Sequence, residues 1–323
     1  METNATGARG RILLAVSGWD PAIWARELAV HAPDRPVVLA PDGEADPSID
    51  YALVWKPEPG LLARLPNLKV IFSLGAGVDH VFLDPALPDV PIVRIVSPDL
   101  TARMSEYVVW QVLDHHRYGP SYRRQQAERV WHEFREQRAA ADITVGIMGL
   151  GELGRDAAAK LRAIGFRVTG WSRAARAVEG VNTYAGEAGL GAFLASADIF
   201  VVLLPLTPDT SGILNRDLFA GMTRRGPLGA PVLINAGRGK LQVEADILAA
   251  LDEGLLGAVT LDVFATEPLP SDSPLWTHPK VTITPHAAAA SVPSSLIGPI
   301  VAQMEAFERG EPLLNLVDRK AGY

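Results

Sequence analysis

The stretch at 143–160, ITVGIMGLGELGRDAAAK, constrains what this chain can fold into more than any other. Residues 143–148 suit a buried strand, with Gly146 the small exception. Gly149, Gly151 and Gly154 then fall on a G-x-G-x-x-G spacing, and a helix-favouring run over 155–162 follows at once. The order strand, glycine turn, helix has a mechanical reason. The first glycine makes the turn, the second lets a pyrophosphate approach the backbone, and the third lets helix and strand pack closely. The helix N-terminus then offers the phosphates N–H groups that have no acceptor inside the helix. A bare G-x-G-x-x-G is a weak signal; after a strand and before a helix it predicts dinucleotide binding.

The next strand sharpens that expectation. Residues 166–171 (FRVTGW) read as the second strand of the unit, with Ser172 at its tip, Arg173 beside it and Arg176 three further on. A site selective for NAD usually places Asp or Glu here, on the ribose 2′-hydroxyl. A carboxylate would repel a 2′-phosphate, whereas serine and arginine hydrogen-bond and neutralise one. The residues present predict NADPH/NADP+, with NADH the weaker partner.

Composition narrows the rest. At 323 residues the chain is long enough for two domains and a sizeable core. A formal net charge of −7 gives no basic face for a general nucleic-acid binder. The absence of cysteine removes disulfides, thiolate metal sites and a cysteine nucleophile. The polar start METNATGARG lacks the basic-then-apolar order of a signal peptide, and no run of about 18 apolar residues occurs. The expectation is a cytoplasmic protein with no membrane segment.

Before the glycine fingerprint, short apolar runs alternate with amphipathic ones. Strands are expected at 12–16, 37–40, 51–55, 70–73 and 92–95, with helices at 21–31 and 60–65. This succession calls for a parallel sheet covered by helices, forming a domain of its own. The loop Leu74-Gly75-Ala76-Gly77-Val78-Asp79 directly follows a strand, and its glycines leave backbone N–H groups open to an anion. Trp55-Lys56 ends another strand. Residues 97–117 read as a long helix crossing into the second domain. Its adjacent His115 and His116 face different ways, which argues against a metal site, and none is expected elsewhere. Residues 118–138 are strongly charged and read as a solvated helical arm, with Trp131 as a packing residue.

Beyond the fingerprint, the apolar run 199–204 leads into Pro205-Leu206-Thr207-Pro208-Asp209-Thr210, a loop expected to flank the cofactor. Three further strands, 232–235, 259–262 and 281–284, end in Ala236-Gly237-Arg238, in a loop reaching Glu267, and in Pro285-His286. An arginine, a carboxylate and a histidine are thus delivered to one edge. Hydride transfer to a carbonyl needs a proton for the developing alkoxide, and histidine, with an ordinary pKa of about 6.5, suits that task. A carboxylate such as Glu267 favours the charged ring and fixes its orientation. Arginine holds a carboxylate and a neighbouring carbonyl oxygen through forked hydrogen bonds. Together they predict reduction of a 2-oxo acid to a 2-hydroxy acid. Residues 294–308 form an amphipathic helix that could return to the first domain.

Along nearly its whole length the chain resembles the D-isomer-specific 2-hydroxyacid dehydrogenases, through GLGELG, LLPLTPDT, LINAGRG, LDVFATEPLP and TPHAAA in that order. Within the family it looks most like the glyoxylate/hydroxypyruvate reductase A branch, through GAGVD, MSEYVVWQVL, YRRQQAERVW and WSR. The resemblance implies Arg238 as substrate clamp and Glu267 as partner of His286, the proton donor. It implies that Gly75, Ala76 and Gly77 bind the substrate carboxylate, with Trp55 nearby. Cofactor contacts would come from Leu150, Gly151, Glu152, Leu153, Ser172, Arg173, Leu204, Pro205, Thr210, Ala236 and Asp262, and the fingerprint and strand ends add Gly149, Gly154, Arg176, Gly237, Arg238 and His286. It implies two Rossmann-like parallel-sheet α/β domains with an active-site cleft between them. The flavodoxin-like substrate domain would comprise 1–103 and 292–323, and the dinucleotide-binding domain 104–291. Family members are typically homodimers paired through the cofactor domain, and the arm at about 118–140 would carry Trp131 toward the partner's substrate. Ser291, where threonine is expected, and the longer loop at 224–231 are departures that leave the chemistry intact. The rival readings are a family enzyme of other specificity, phenylpyruvate-type or phosphoglycerate, and a non-catalytic nucleotide-sensing binding protein.

Overall fold

The first apolar run becomes β1 (Arg11–Val16), in which Ile12, Leu13 and Leu14 are buried on both faces. A parallel strand covered by helices on each side has that pattern. The structure, a computed structural model, describes residues 10–42, 45–224 and 226–323. The polar start of the chain lies outside the described residues, as does Arg225 of the 224–231 loop.

After β1 come α1 (Pro21–His31), β2 (Val37–Leu39), β3 (Ile49–Trp55), β4 (Val70–Ser73), α2 (Asp79–Phe82) and β5 (Ile92–Val93). The Asp20 carboxylate accepts the N–H of Ala22, and Pro21 follows it, so α1 starts on a cap and a preset φ. The five strands are parallel in the order β2-β1-β3-β4-β5, the flavodoxin-type arrangement. Ile12 lies opposite both Val37 and Tyr51.

The long helix α3 (Pro98–His116) follows, and the boundary between two compact units falls inside it, after Leu100. The second unit, Thr101–Ala290, continues with α4 (Gly119–Glu128), β6 (Thr144–Met148), α5 (Glu152–Ile164), β7 (Arg167–Ser172), β8 (Asn182–Ala185), α6 (Gly186–Leu194) and β9 (Ile199–Val202). Then come α7 (Arg216–Gly221), β10 (Val232–Asn235), α8 (Glu244–Asp252), β11 (Ala258–Leu261) and β12 (Val281–Ile283). Its seven strands are parallel in the order β12-β11-β10-β9-β6-β7-β8. The chain therefore turns to opposite sides of β6, leaving the switch point between β6 and β9 where doubly wound folds hold their ligands. The last helix, α9 (Pro293–Glu308), belongs to the first unit and packs Leu296, Ile297 and Met304 into the same core as Trp24, Leu28 and Phe72.

Three local expectations are corrected. The charged arm is helical only through Glu128; Arg129 takes a left-handed conformation (φ 58) and residues 130–139 run on without helix or strand. No residue of α4 is buried, so no packed face prolongs the helix against solvent. Phe134 instead folds back to stack on Tyr118, centroids 4.8 Å apart. Trp131 is fully exposed, at 100%, and packs against nothing among the described residues. The helix expected at 60–65 is a single 3-10 turn, Leu62–Arg64. Strand β8, whose NTYA sequence lacks an apolar run, went unexpected: it is an edge strand, exposed or half-buried throughout.

Candidate active site

In the second unit the glycine turn does what its spacing demands. Gly149 sits at φ +108, a backbone that side chains rarely adopt, and a Cβ there would meet the Leu203 carbonyl oxygen at 2.7 Å. A Cβ on Gly154 would lie 1.9 Å from the Gly149 carbonyl oxygen, so α5 seats directly against the turn. Gly151 is different: a Cβ built there meets nothing within 4 Å. That open space lies at the N-cap of α5, which has no side-chain capping bond, so the first N–H groups face an uncrowded mouth. This cradle fits a pyrophosphate.

At the tip of β7, Ser172 is buried and its hydroxyl donates to the Ala174 carbonyl at 2.8 Å. Arg173 and Arg176 are exposed, and the Arg173 guanidinium stands 3.9 Å from the Asp209 carboxylate across the β9 loop. A cation at this tip suits a 2′-phosphate, which would compete with that loose pair. The β9 loop is held by Thr210, whose hydroxyl donates to the Pro205 carbonyl at 2.7 Å and accepts the Thr207 N–H at 2.8 Å. Leu204 is buried in the core beneath it.

The neighbouring strand ends β10, β11 and β12 carry the three chemical groups. Asn235, wholly buried at the end of β10, shapes the arginine turn: its Oδ1 accepts the Gly237 N–H and its Nδ2 donates to the Arg238 carbonyl and to Gln242 Oε1. Gln242 in turn donates to the Val263 carbonyl beyond β11, tying the two loops together. Gly239 makes that approach possible, since a Cβ there would fall 1.9 Å from the Phe264 backbone. The half-buried Arg238 side chain donates to the Gly237 carbonyl at 2.8 Å.

Glu267 accepts the Phe264 N–H on Oε1 and faces His286 Nδ1 with Oε2 at 2.8 Å. A carboxylate only accepts, so Nδ1 carries the proton of that bond and Nε2 is left for other chemistry. His286 holds a left-handed backbone, φ 52, uncommon for a side chain of its size. Asp262 keeps it there. Its carbonyl accepts the His286 N–H at 2.8 Å, and its carboxylate accepts the N–H groups of Ala287 and Ala288 and the Thr284 hydroxyl. Tyr107 of α3 bonds Thr284 at 2.8 Å, and burial pushes the pKa of its phenol up.

In the first unit Gly75, Ala76 and Gly77 follow β4, and the buried Ser73 hydroxyl lies 3.2 Å from the Gly75 carbonyl and 3.4 Å from the Gly75 N–H. Trp55, at the end of β3, lies so close to Gly75 that a Cβ there would come within 2.3 Å of its ring. Lys56 Nζ sits 5.6 Å from the Trp55 ring centroid. Sequence reasoning singled out Asp262 only as a cofactor contact and passed over Asn235, Gln242, Thr284 and Tyr107. Asn235 had a readable signal, a polar residue closing an apolar strand; Gln242 had none, because the Val263 carbonyl it holds lies on another loop. Among the described residues no group of three or more His, Asp or Glu could hold a metal, and no helix is long and apolar enough to cross a membrane.

Residues 109–288 match the model of the D-isomer specific 2-hydroxyacid dehydrogenase NAD-binding domain. The glyoxylate/hydroxypyruvate reductase A of Yersinia enterocolitica is 42% identical over 288 residues, 87% of this chain and 90% of that one. The NADPH-dependent glyoxylate/hydroxypyruvate reductase of Sinorhizobium meliloti, crystallised with NADP and sulfate, superposes with a TM-score of 0.92 at 50% identity, covering 97% of this chain and all, 100%, of that one. A probable 2-hydroxyacid dehydrogenase of Rhizobium etli, crystallised with NADP, HEPES and L(+)-tartaric acid, gives 0.91 at 48% identity, over 98% of this chain and 100% of that one.

Proposed function

The chain belongs to the D-isomer specific 2-hydroxyacid dehydrogenases, and from that premise we propose that it reduces glyoxylate or hydroxypyruvate to the 2-hydroxy acid with NADPH. The observation that carries the reading is the 2.8 Å His286–Glu267 pair, built on strand ends of the same unit as the dinucleotide cradle. Bound NADPH supplies the hydride that reaches the substrate's 2-carbon. The His286 imidazolium delivers the matching proton from Nε2 to the oxygen on that carbon and becomes the neutral Nδ1–H ring, while Glu267 on Nδ1 holds the ring's orientation throughout. Arg238 clamps the substrate carboxylate and carbonyl oxygen. The open N-cap at Gly151 receives the pyrophosphate, and Ser172, Arg173 and Arg176 receive the 2′-phosphate.

We assign substrate binding to the first unit, where the N–H groups of Gly75, Ala76 and Gly77 meet the carboxylate beside Trp55, and cofactor binding to the second. The protein acts as a cytoplasmic homodimer paired through the cofactor unit, its arm carrying Trp131 to the partner's substrate. The full exposure of Trp131 and the half exposure of Val130 at 49% support an arm that is covered in an assembly. Loss of NADPH absorbance with glyoxylate, hydroxypyruvate and a panel of larger 2-oxo acids, run beside NADH, tests the activity. The expected result is turnover of the small acids with NADPH well above that with NADH. No turnover with any 2-oxo acid would leave a nucleotide-sensing binding protein instead.

A further inference from the structure

Trp19 follows β1 on a short loop in which Gly18 has φ +79, and the reaction above gives it no role. Its indole lies parallel to that of Trp24, with centroids 5.4 Å apart and planes 8° apart. It lies equally parallel to that of Trp55, 4.7 Å away at 6°. Trp24 stands on α1 and is 3% exposed, locked in the core, whereas Trp19 and Trp55 are only half-buried. From α2 the ring of His80 closes on Trp55, 4.7 Å away and tilted by 55°. A core-anchored ring is thus extended, ring by ring, to the carboxyl edge of the sheet, next to the 75–77 loop.

Partly exposed indoles at that edge are surface a ligand can use, since parallel sheets bind beyond the carboxyl ends of their strands. Trp55 ends a strand, it is half-buried, and the next residue, Lys56, turns left-handed at φ 47. His80 and Gly75 border its ring, and stacking on Trp19 constrains the remaining face. We propose that Trp19 is a positioning residue: by stacking on Trp55 it fixes an aromatic wall beside the 75–77 loop, and that wall restricts the enzyme to 2-oxo acids with a small substituent on the 2-carbon. The inference rests on the reading of that loop as the carboxylate cradle. Glyoxylate carries only hydrogen at that place and hydroxypyruvate a hydroxymethyl group, so both pass; phenylpyruvate meets the wall.

Wild type, Trp19→Ala and Trp19→Phe of the full chain are compared with NADPH against glyoxylate and phenylpyruvate. An aromatic pair is worth up to about a tenfold change in an equilibrium constant. Trp19→Ala is expected to raise KM for glyoxylate about tenfold with kcat within about twofold, and to raise relative kcat/KM for phenylpyruvate by a similar factor. KM for NADPH is unchanged, and Trp19→Phe, which still stacks, restores the wild-type values. The far-ultraviolet circular dichroism couplet arises only from indole on indole, and its loss in Trp19→Ala shows that the indole stack is gone. A folded Trp19→Ala protein that lacks the couplet yet keeps wild-type KM and selectivity overturns the proposal. If alanine prevents folding, Trp19→Leu takes its place with the same expectations. Should the wild type reduce no 2-oxo acid, the functional reading fails by itself, and oxalate titrated against tryptophan fluorescence decides this one. Binding weakened about tenfold by Trp19→Ala supports it; equal binding, or none by the wild type, overturns it.

Discussion

At the scale of single residues, the site depends on a histidine in a backbone conformation that its own sequence does not favour. Asp262 is the residue that holds it, through one carbonyl and one carboxylate that together accept four donors around His286. His286→Ala is expected to lower kcat/KM about 10²- to 10⁴-fold, the usual worth of a positioned general acid, with NADPH affinity kept. Near-normal turnover in that variant, followed by NADPH absorbance, would remove the assignment. Another histidine acts on stability. His115 is 8% exposed, and burial lowers its pKa to about 4. The Thr260 hydroxyl donates to Gln111, so His115 Nε2, 2.8 Å away, is the donor to Thr260 and the ring is neutral. The unfolded chain, with an ordinary histidine pKa, takes up a proton that the folded chain refuses between those two values. Stability from this group is complete above about pH 6.5 and is lost as pH falls toward about 4, at most about 3 kcal/mol. Denaturant titrations of wild type and His115→Gln across that window check this: the variant should lack that part of the slope, and identical slopes would refute it.

Individual elements show why glycines at one motif have different meanings. In α5 the helix packs on Ala157, Ala158 and Leu161 and ends at Gly165, φ +110, in a left-handed cap. Gly154 lies on the packed side and Gly151 at the open mouth. Gly154→Ala forces the helix away from the turn and is expected to cost about 1–3 kcal/mol of stability. Gly151→Ala has room in the chain itself, with an extended φ of −76 and ψ of −162, so stability should move by less than about 0.5 kcal/mol. On the proposed reading its methyl would stand where the pyrophosphate approaches, and NADPH binding should weaken more than about tenfold. Thermal melts and NADPH titrations of both variants separate the two roles; an unaffected NADPH affinity in Gly151→Ala would contradict the cradle. The arm makes the converse case. Its sequence is helix-compatible, but α4 finds nothing to pack on, and the chain stops being helical where tertiary contact is missing.

Over the whole molecule, the first unit is completed by its last helix. Arg35, just after α1, has a side chain with 0% exposure, and it meets Glu308 at the end of α9 through two hydrogen bonds of 2.8 and 2.6 Å. Tyr51 of β3 donates to the same carboxylate at 3.0 Å. Arg35 is buried but the Glu308 side chain is 33% exposed, so solvent partly screens the pair, and Glu308→Ala is expected to destabilise this unit by about 1–3 kcal/mol. Glu308→Gln, which keeps the acceptor of the tyrosine bond, should cost less. Chemical denaturation of both variants checks the order; equal and small losses would mean that the ion pair does not secure the helix.

The sequence alone determined the elements whose signal is local. The fingerprint at 149–154, the fully buried strands β6 and β9, and the strand ends bearing Arg238, Glu267 and His286 are all fixed by residue type and spacing over a few positions. Tertiary structure decided what depends on partners distant in the chain. It placed Glu267 on His286 Nδ1, gave Asp262 its grip on the histidine loop, aligned Trp24, Trp19 and Trp55 in one stack, and ended the helical arm at Glu128. Periodicity records which face of an element is buried. A hydrogen bond or a ring stack between residues tens of positions apart leaves no trace in either partner's neighbourhood, and only the packed chain reveals it.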